Sequence, residues 1–195
     1  MSTPTTRRAF VGGAATASLA VLAPRRATAL ARTGELPPPQ VSPEARLREL
    51  GLELPPAPRP VATYVPFVVV GDVLYLAGHT PRLADGSPGF VGKVGADLTV
   101  DEGREAARFV GLNILSTLRS ATGSLDRVAR LVRTFGMVNA TPDFTQQPQV
   151  MNGFSDLMSE VFGSDAGLGT RAAVGMGSLP GGMAVEIETF WQLRE

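Results

Sequence analysis

Apolar residues along this chain recur with two different spacings, which predict strands in some segments and helices in others. Two β-rich runs, 64–70 and 73–77, are separated by Gly71-Asp72, and a glycine-first pair of this kind is typical of a two-residue hairpin turn. Further runs rich in branched and aromatic residues predict three more strands: 128–138, 171–176 and 183–193.

Two other segments have an apolar residue every three or four positions, the spacing of a helix that packs one face on a sheet. The first helix is predicted to begin at Thr99, whose side chain can form a capping box with Glu102, and to end at Gly123. The second covers 146–162 and ends at Gly163. The apolar faces comprise Ala107, Val110, Ile114, Leu115 and Leu118 in the first helix, and Val150, Phe154, Leu157 and Val161 in the second.

The predicted elements follow the order β-β-α-β-α-β-β, and both helices need the sheet to cover their apolar faces. We therefore predict an α+β fold, in which a mixed sheet has two helices on one face. The last strand has more apolar residues than one helical layer covers, namely Val185, Ile187, Phe190 and Trp191. This excess predicts that oligomerisation buries the second face of the sheet, because large exposed apolar patches are uncommon on monomers.

The N-terminus has the layout of a twin-arginine export signal. Arg7-Arg8 precede an uncharged apolar run over 11–23, which is shorter than the roughly 20 residues that span a membrane. Small-residue cleavage sites follow at 27–29 and 29–31, and we favour the second. We therefore predict that residues 1–31 are removed and that the mature protein is periplasmic or extracellular, without a membrane segment. The alternative is an amphipathic helix in a cytoplasmic protein.

Proline-rich stretches follow the predicted signal. Residues 32–60 are predicted to form a linker with one short helix, which has Ser42 as its N-cap and Pro43 at its first position and stops at Gly51. The folded domain is expected over 61–195.

Charge and residue usage exclude several classes of function. The chain has 18 basic and 18 acidic residues, and no Lys/Arg-rich stretch follows the N-terminal region, so nucleic acid is not an expected partner. The absence of cysteine excludes disulfides, thiolate metal ligands and a cysteine nucleophile. His79 is the single histidine, which excludes a multi-histidine metal site. We predict neither a metal nor a cofactor.

The C-terminal part of the chain contains a recognisable signature. Gly169-Thr170-Arg171-Ala172-Ala173-Val174 is followed by Leu179-Pro180 and then by Val185-Glu186-Ile187-Glu188. This pattern closely resembles that of the RidA/YjgF family. The segments upstream that also match are Tyr64-Val65, Leu76-Ala77-Gly78 and Gly92-Lys93-Val94-Gly95. The resemblance implies a chorismate-mutase-like fold and a homotrimer, in which three sheets form a central barrel and ligands bind in clefts between subunits.

Arg171 and Glu186 are the candidate catalytic residues. A planar guanidinium can hold a carboxylate through two parallel hydrogen bonds, and the resemblance gives Arg171 this role toward a small carboxylate ligand. Glu186 lies between Val185 and Ile187 on an apolar strand, where an unpaired carboxylate is costly to bury. In the family, the matching glutamate orients a water that attacks the imine carbon of a 2-imino acid. The alternatives are a surface or interface salt bridge for Arg171 and an ordinary ion pair between the two residues.

Strand register adds a geometric expectation. If the last two strands form a hairpin centred on Pro180-Gly181, Arg171 lies opposite Phe190. Glu186 then lies four residues along on the same face of the sheet, and both side chains can reach one ligand.

The resemblance also assigns substrate-binding positions to Tyr64, Gly78, Asn152 and Ala173. Tyr64 matches a hydroxyl that reaches the neighbouring subunit's ligand, and a plain interface aromatic is an equal alternative. Gly78 matches a backbone position that approaches the ligand, and Asn152 matches a polar contact. Ala173 stands where many members have cysteine. His79 stands where glutamine is common, and we expect it to be a rim residue rather than a base.

Three functions follow from this resemblance. The first is an imine/enamine deaminase that hydrolyses 2-imino acids to 2-keto acids and ammonium. The second is a non-catalytic exported trimer that binds small carboxylates, an alternative favoured by the export signal because such imines usually arise inside the cell. The third, a ribonuclease, lacks support because no basic groove or pair of histidines is visible.

Overall fold

The computed structural model describes residues 42–194, so the predicted export signal and the first part of the linker lie outside the described residues. Its elements are α1 (Pro43–Glu49), β1 (Phe67–Val70), β2 (Val73–His79), α2 (Val100–Thr122), β3 (Val128–Asn139), α3 (Gln147–Phe162), α4 (Ser164–Gly167), β4 (Thr170–Met176) and β5 (Val185–Leu193). The α+β class and the predicted order of strands and long helices are confirmed. The single turn α4 is not predicted from the sequence.

Five strands form one mixed sheet in the order β1-β2-β5-β3-β4. Neighbouring strands run antiparallel except β3 and β4, which are parallel because α3 returns the chain to the same end of the sheet. The hairpin of β1 and β2 is confirmed. Val70 pairs with Val73 across Gly71-Asp72, and Gly71 has the positive φ of 62° that a glycine tolerates in such a turn.

The expected hairpin of the last two strands is wrong. β5 lies between β2 and β3, so β3 separates it from β4. Arg171 pairs with Thr134 in the parallel ladder of β3 and β4 and is not opposite Phe190. The connection over 177–184 carries the chain past β3, where Met183 is fully buried, instead of folding back on β4.

Both long helices lie on one face of the sheet and pack against each other, as predicted. The capping box of α2 is present, since Thr99 Oγ1 accepts from the Glu102 N–H and the Glu102 carboxylate accepts from the Thr99 N–H. Gly123 ends α2, and Gly163 ends α3. All predicted apolar residues of the two helices are buried. No helix within residues 42–194 combines the length and the apolar character that a membrane span requires.

The two faces of the sheet differ in how they are covered. In β5, Val185, Ile187 and Trp191 face the helices and are fully buried, whereas Phe190 lies on the opposite face. The expectation that the helical layer cannot cover these four residues is therefore wrong for three of them. The opposite face, called the open face below, still has many apolar side chains: Val68, Val70, Tyr75, Phe135, Met137, Val174 and Phe190. Burial of the open face by further copies of the chain stays a prediction.

Helix α1 packs on the helical layer, although its segment is predicted to be part of a linker. Leu47 is 2% exposed, and the Glu44 carboxylate accepts two hydrogen bonds from the Arg119 guanidinium, at 2.7 and 3.0 Å. Ser42 caps α1, as predicted, and its hydroxyl also donates to Asp126 at 2.7 Å. Packing on the domain therefore already includes residue 42 and does not begin near residue 61.

Candidate functional site

A cavity of about 880 Å³ lies between the segment before β1, the hairpin of β1 and β2, and the open-face side chains of β5. We call residues 56–66, the extended segment before β1, the strap. Three predicted site residues line this cavity: Tyr64, Gly78 and Glu186. Other residues that line it and enter the discussion below are Arg59, His79, Arg82, Glu188 and Phe190.

Glu186 and Gly78 are in direct contact in this cavity. A Cβ added to Gly78 would collide with the Glu186 carboxylate. The register of β2 and β5 is irregular between Leu76 and His79, and this bulge sets the β2 backbone against the carboxylate. The absence of a Cβ at Gly78 therefore leaves room for the carboxylate in its present position, and no turn is involved.

The Glu186 carboxylate is half-buried and receives neither a hydrogen bond nor the field of a nearby cation from residues 42–194. Burial, and then the negative charge of Glu188, raise the pKa of the Glu186 carboxyl above its usual range. The alternative in which Arg171 is the ion-pair partner of Glu186 within one chain is wrong. A carboxylate in this state can accept a proton from a water molecule in the cavity.

The structure places His79 inside the protein, not on the rim of the site. The residue is 7% exposed, with Nδ1 2.7 Å from the Ala77 carbonyl oxygen and Nε2 2.8 Å from Oγ1 of Thr117 on α2. Burial lowers the pKa of His79, so the ring is neutral at neutral pH. His79 therefore anchors the end of β2 to α2, because it is the last residue of the strand and faces the helices.

Tyr64 belongs to the strap and is 46% exposed. Its hydroxyl has no hydrogen-bond partner within the described part of the chain, which leaves it available to a ligand or to a second copy. Both alternatives considered for Tyr64, ligand contact and interface aromatic, depend on this exposure.

Arg171 lies in a second cluster, on β4 at the far edge of the sheet. Its guanidinium donates to Asn152 Oδ1 at 3.0 Å, to Ser155 Oγ at 2.9 Å and to the Pro148 carbonyl oxygen at 3.4 Å, and all three acceptors belong to α3. Among residues 42–194, Arg171 has no acidic ion-pair partner. Ala173 lies on the same face of β4 and packs against the core.

Arg171 and Glu186 lie on opposite faces of the sheet. Arg171 pairs with Thr134, which is buried beneath the helices, whereas Glu186 pairs with Met137 on the open face. Strand β3 lies between the two strands, so their axes are about 10 Å apart at the usual spacing between strands. One chain therefore does not bring both side chains to one small ligand, contrary to the expectation from strand register.

Two arginines that line the cavity, Arg59 and Arg82, escape prediction from the sequence. Arg59 belongs to a proline cluster and Arg82 to a glycine-rich loop, and neither segment has a periodic pattern that orients its side chains. Glu188, in contrast, can be predicted from the sequence, because its spacing of two from Glu186 places both carboxylates on one face of a strand. Residues 42–194 contain no group of three or more His, Asp or Glu side chains placed to hold a metal ion.

Comparisons of the sequence with known proteins agree on one family. Residues 44–181 match the model of a family described as YjgF/chorismate mutase-like, putative endoribonuclease. Protein TCP17 of Trypanosoma cruzi is 43% identical over 149 residues, which cover 76% of this chain and 92% of TCP17.

Solved structures share the fold. The protein Atu1372 of Agrobacterium tumefaciens, described as having unknown function, is 37% identical with a TM-score of 0.70, over 78% of this chain and 94% of that one. A protein of Shewanella oneidensis described as a putative endoribonuclease is 33% identical with a TM-score of 0.74, over 78% of this chain and 100% of that one. TdcF of E. coli, crystallised with bound serine, is 19% identical with a TM-score of 0.52, over 71% of this chain and 94% of that one, and supports the fold alone.

Proposed function

This chain belongs to the YjgF/chorismate mutase-like family, and we propose that it is a deaminase that hydrolyses 2-imino acids to 2-keto acids and ammonium. The observation that carries the proposal is the half-buried Glu186 carboxylate, which lines a cavity of about 880 Å³ and has no neutralising cation among residues 42–194. Residues whose pKa is shifted by burial and by a like charge, and which line a cavity, are candidates for acid–base chemistry.

The proposed active site is shared between two copies of the chain. Within one copy, Glu186, Gly78 and Tyr64 line the cavity, while Arg171 and Asn152 form a separate, exposed cluster on the other side of the sheet. A second copy that sets its Arg171 cluster at the mouth of the cavity would add a carboxylate clamp to the base. The assembly proposed is a homotrimer whose open faces form a central barrel, and the apolar open face supports it.

In the proposed reaction, Arg171 holds the ligand carboxylate and Glu186 lies beside the imine carbon. Glu186 accepts a proton from a water molecule as the water oxygen bonds to that carbon and the π electrons of the C=N bond move to nitrogen. The nitrogen takes up the proton that Glu186 accepted, which gives a tetrahedral carbinolamine. The carbinolamine hydroxyl then gives its proton to the nitrogen through Glu186, the oxygen forms the C=O bond as the C–N bond breaks, and the nitrogen leaves as ammonia. Ammonia takes up a further proton from solvent to become ammonium. The reaction consumes water and needs no oxidant or reductant.

Export of the protein is proposed on the sequence alone, since residues 1–31 lie outside the described residues. The observation that supports it is the Arg7-Arg8 pair before the uncharged run over 11–23. A reporter fused to residues 1–31 is expected to leave the cytoplasm, and Arg7→Lys combined with Arg8→Lys is expected to retain it. Export that is unchanged by this double substitution would contradict the twin-arginine route.

The direct test of the deaminase is ammonium release from a 2-imino acid that an amino-acid oxidase generates in the assay. The native protein is expected to accelerate release over buffer, and Glu186→Gln to lose about 10²- to 10⁴-fold of that acceleration, the usual contribution of a positioned base. Glu53→Gln is the matched control, because Glu53 is exposed and does not line the cavity. If the native protein does not exceed buffer while a 2-keto acid still raises its melting temperature, it is the non-catalytic carboxylate-binding trimer instead.

Mixing two inactive variants tests whether the site is shared. Arg171→Gln keeps Glu186, and Glu186→Gln keeps Arg171, so a co-assembled mixture regains intact sites only where the two variants meet. A random mixture of equal amounts is expected to recover about a quarter of the native sites, because each intact site needs one subunit of each kind. Particles that contain both variants and recover no activity would contradict a shared site.

A further inference from the structure

The cavity that contains Glu186 also has two arginines in its lining. Arg59 comes from the strap and Arg82 from the loop after β2, and both line the cavity. Neither forms an ion pair with an acidic side chain among residues 42–194. Among the described residues, the Arg82 side chain donates one hydrogen bond, to the Gly86 carbonyl oxygen at 2.9 Å, which leaves its other donors available to a ligand.

Buried polar contacts hold the backbone of Arg82 in place. Asn113 of α2 is fully buried, and its Nδ2 donates to the carbonyl oxygens of Thr80 at 3.2 Å and Arg82 at 3.1 Å. Pro81, between them, is also buried. The side chain of Arg82 therefore projects from a backbone segment that is held in place, which limits the positions that its planar guanidinium can reach.

The arginines of the cavity lining do not neutralise Glu186. A guanidinium close to Glu186 would lower the pKa of that carboxyl, but the charge that acts on it is Glu188, which raises the pKa. The two glutamates and the two arginines of the cavity lining are therefore not paired with each other, and Arg59 and Arg82 also line a smaller neighbouring cavity of about 490 Å³. The volume of the larger cavity, about 880 Å³, is also within the range that accommodates ligands well above the size of a three-carbon acid.

We propose that the cavity selects ligands with a second carboxylate, that is, 2-imino and 2-keto dicarboxylic acids, and that Arg82 is the residue that determines this specificity. The inference rests on the proposed function, in which Arg171 of a second copy holds the carboxylate next to the reacting carbon. Arg82 then binds the distal carboxylate through its planar guanidinium, and Arg59 adds a second positive charge from the strap. The chemistry at Glu186 is the same for dicarboxylic and monocarboxylic ligands.

The test compares the binding of 2-oxoglutarate with that of 2-oxohexanoate, a keto acid of similar length with an uncharged tail, by titration calorimetry. The native protein is expected to bind 2-oxoglutarate about 10- to 100-fold more tightly, the range for one charge-assisted contact. Arg82→Gln is expected to abolish the preference and leave 2-oxohexanoate binding unchanged. Arg48→Gln is the control, because Arg48 is exposed on α1 and does not line the cavity. Equal affinities in the native protein, or a preference that survives in Arg82→Gln, would overturn the proposal.

Binding and turnover separate this inference from the proposed function. Glu186→Gln is expected to keep the preference for 2-oxoglutarate while it loses ammonium release. A native protein that shows the preference but no ammonium release from either imine would refute the deaminase and support the role of Arg82. Turnover of both imines with equal kcat/KM, unchanged by Arg82→Gln, would support the deaminase and refute the role of Arg82.

Discussion

Strand β5 presents two rows of side chains, and the rows differ in chemistry. Toward the helices lie Val185, Ile187 and Trp191, all fully buried, with Thr189, whose hydroxyl accepts a hydrogen bond from the Trp191 indole at 2.8 Å. The partly exposed residues toward the open face are Glu186, Glu188, Phe190 and Gln192. A strand can carry both rows because successive side chains point to opposite faces of a sheet.

The comparison shows how the fold holds the half-buried Glu186 carboxylate in place, although its burial costs free energy. The buried row packs on α2 and α3 and fixes the backbone of β5, and the backbone in turn fixes where the open-face carboxylates lie. Stability and chemistry are therefore carried by alternate residues of one strand. Substitutions in the buried row should lower the free energy of unfolding, while those at the open face should change activity with a smaller effect on stability.

The largest expected effect comes from breaking the buried row. Trp191→Ala removes a fully buried side chain that also contacts Phe162, with the ring centroids 5.3 Å apart. We expect the free energy of unfolding to fall by about 3–5 kcal/mol, because the cavity left behind is only partly refilled. The measurement is urea unfolding at one fixed protein concentration, so that assembly affects all variants equally.

The adjacent residue on the open face is the control for this substitution. The Gln192 side chain donates a hydrogen bond to Asp72 at 2.7 Å in an exposed position. Gln192→Ala should cost about 1 kcal/mol or less, the usual net value of such a bond. If Trp191→Ala and Gln192→Ala lowered the free energy of unfolding equally, the buried row would not contribute more to stability than the open-face row.

A second prediction concerns the contact between β2 and β5 at Gly78 and Glu186. Gly78→Ala adds a Cβ that collides with the Glu186 carboxylate. We expect ammonium release to fall about 100-fold, because a displacement of about 1 Å at a reacting group has this effect, while overpacking costs about 1–3 kcal/mol of stability. Gly177→Ala is the matched control, since a Cβ there meets no atom within 4 Å. Native activity in Gly78→Ala would show that the position of the carboxylate does not matter.

Local signals explain why much of the fold could be predicted. The capping box at Thr99 and the glycines at 123 and 163 fix the helix ends through contacts within a few residues, so their positions can be read from the chain. The hairpin at Gly71-Asp72 is local in the same way. The position of β5 in the sheet is not set by local signals. A connection over 177–184 can either turn back on β4 or pass β3, and only the packing of the whole sheet decides between these two arrangements.

The candidate site shows the same limit. Glu186 and Gly78 can be chosen from the sequence and do meet in one cavity, but the separation of Arg171 from them depends on strand order. Arg59 and Arg82 lie in loops, whose side chains have no periodicity to orient them. The sequence therefore identifies Glu186, Gly78 and Tyr64 as residues that line one cavity, whereas the position of Arg171 and the side chains contributed by loops depend on the arrangement of the whole sheet.

The smallest expected effect concerns the two carboxylates on the open face of β5, Glu186 and Glu188. Burial first, and then the charge of Glu188, raise the pKa of Glu186, and the proposed base must be ionised to act. Activity should therefore rise with pH through this raised pKa. Glu188→Gln removes the second cause and leaves the first, so the acidic limb of the kcat/KM profile should move to lower pH with little change in the plateau.

The pH dependence of the free energy of unfolding tests independently whether the pKa of Glu186 is raised. A carboxyl whose pKa is higher in the folded than in the unfolded protein makes a contribution that is fully present below the unfolded pKa and is lost as pH rises through the folded pKa. Native protein should therefore lose stability relative to Glu186→Gln over that interval, and the loss should be smaller in the Glu188→Gln background. An acidic limb that stays in place in Glu188→Gln, or a Glu186→Gln stability difference that is independent of pH, would show that the half-buried carboxylate is not the group that titrates.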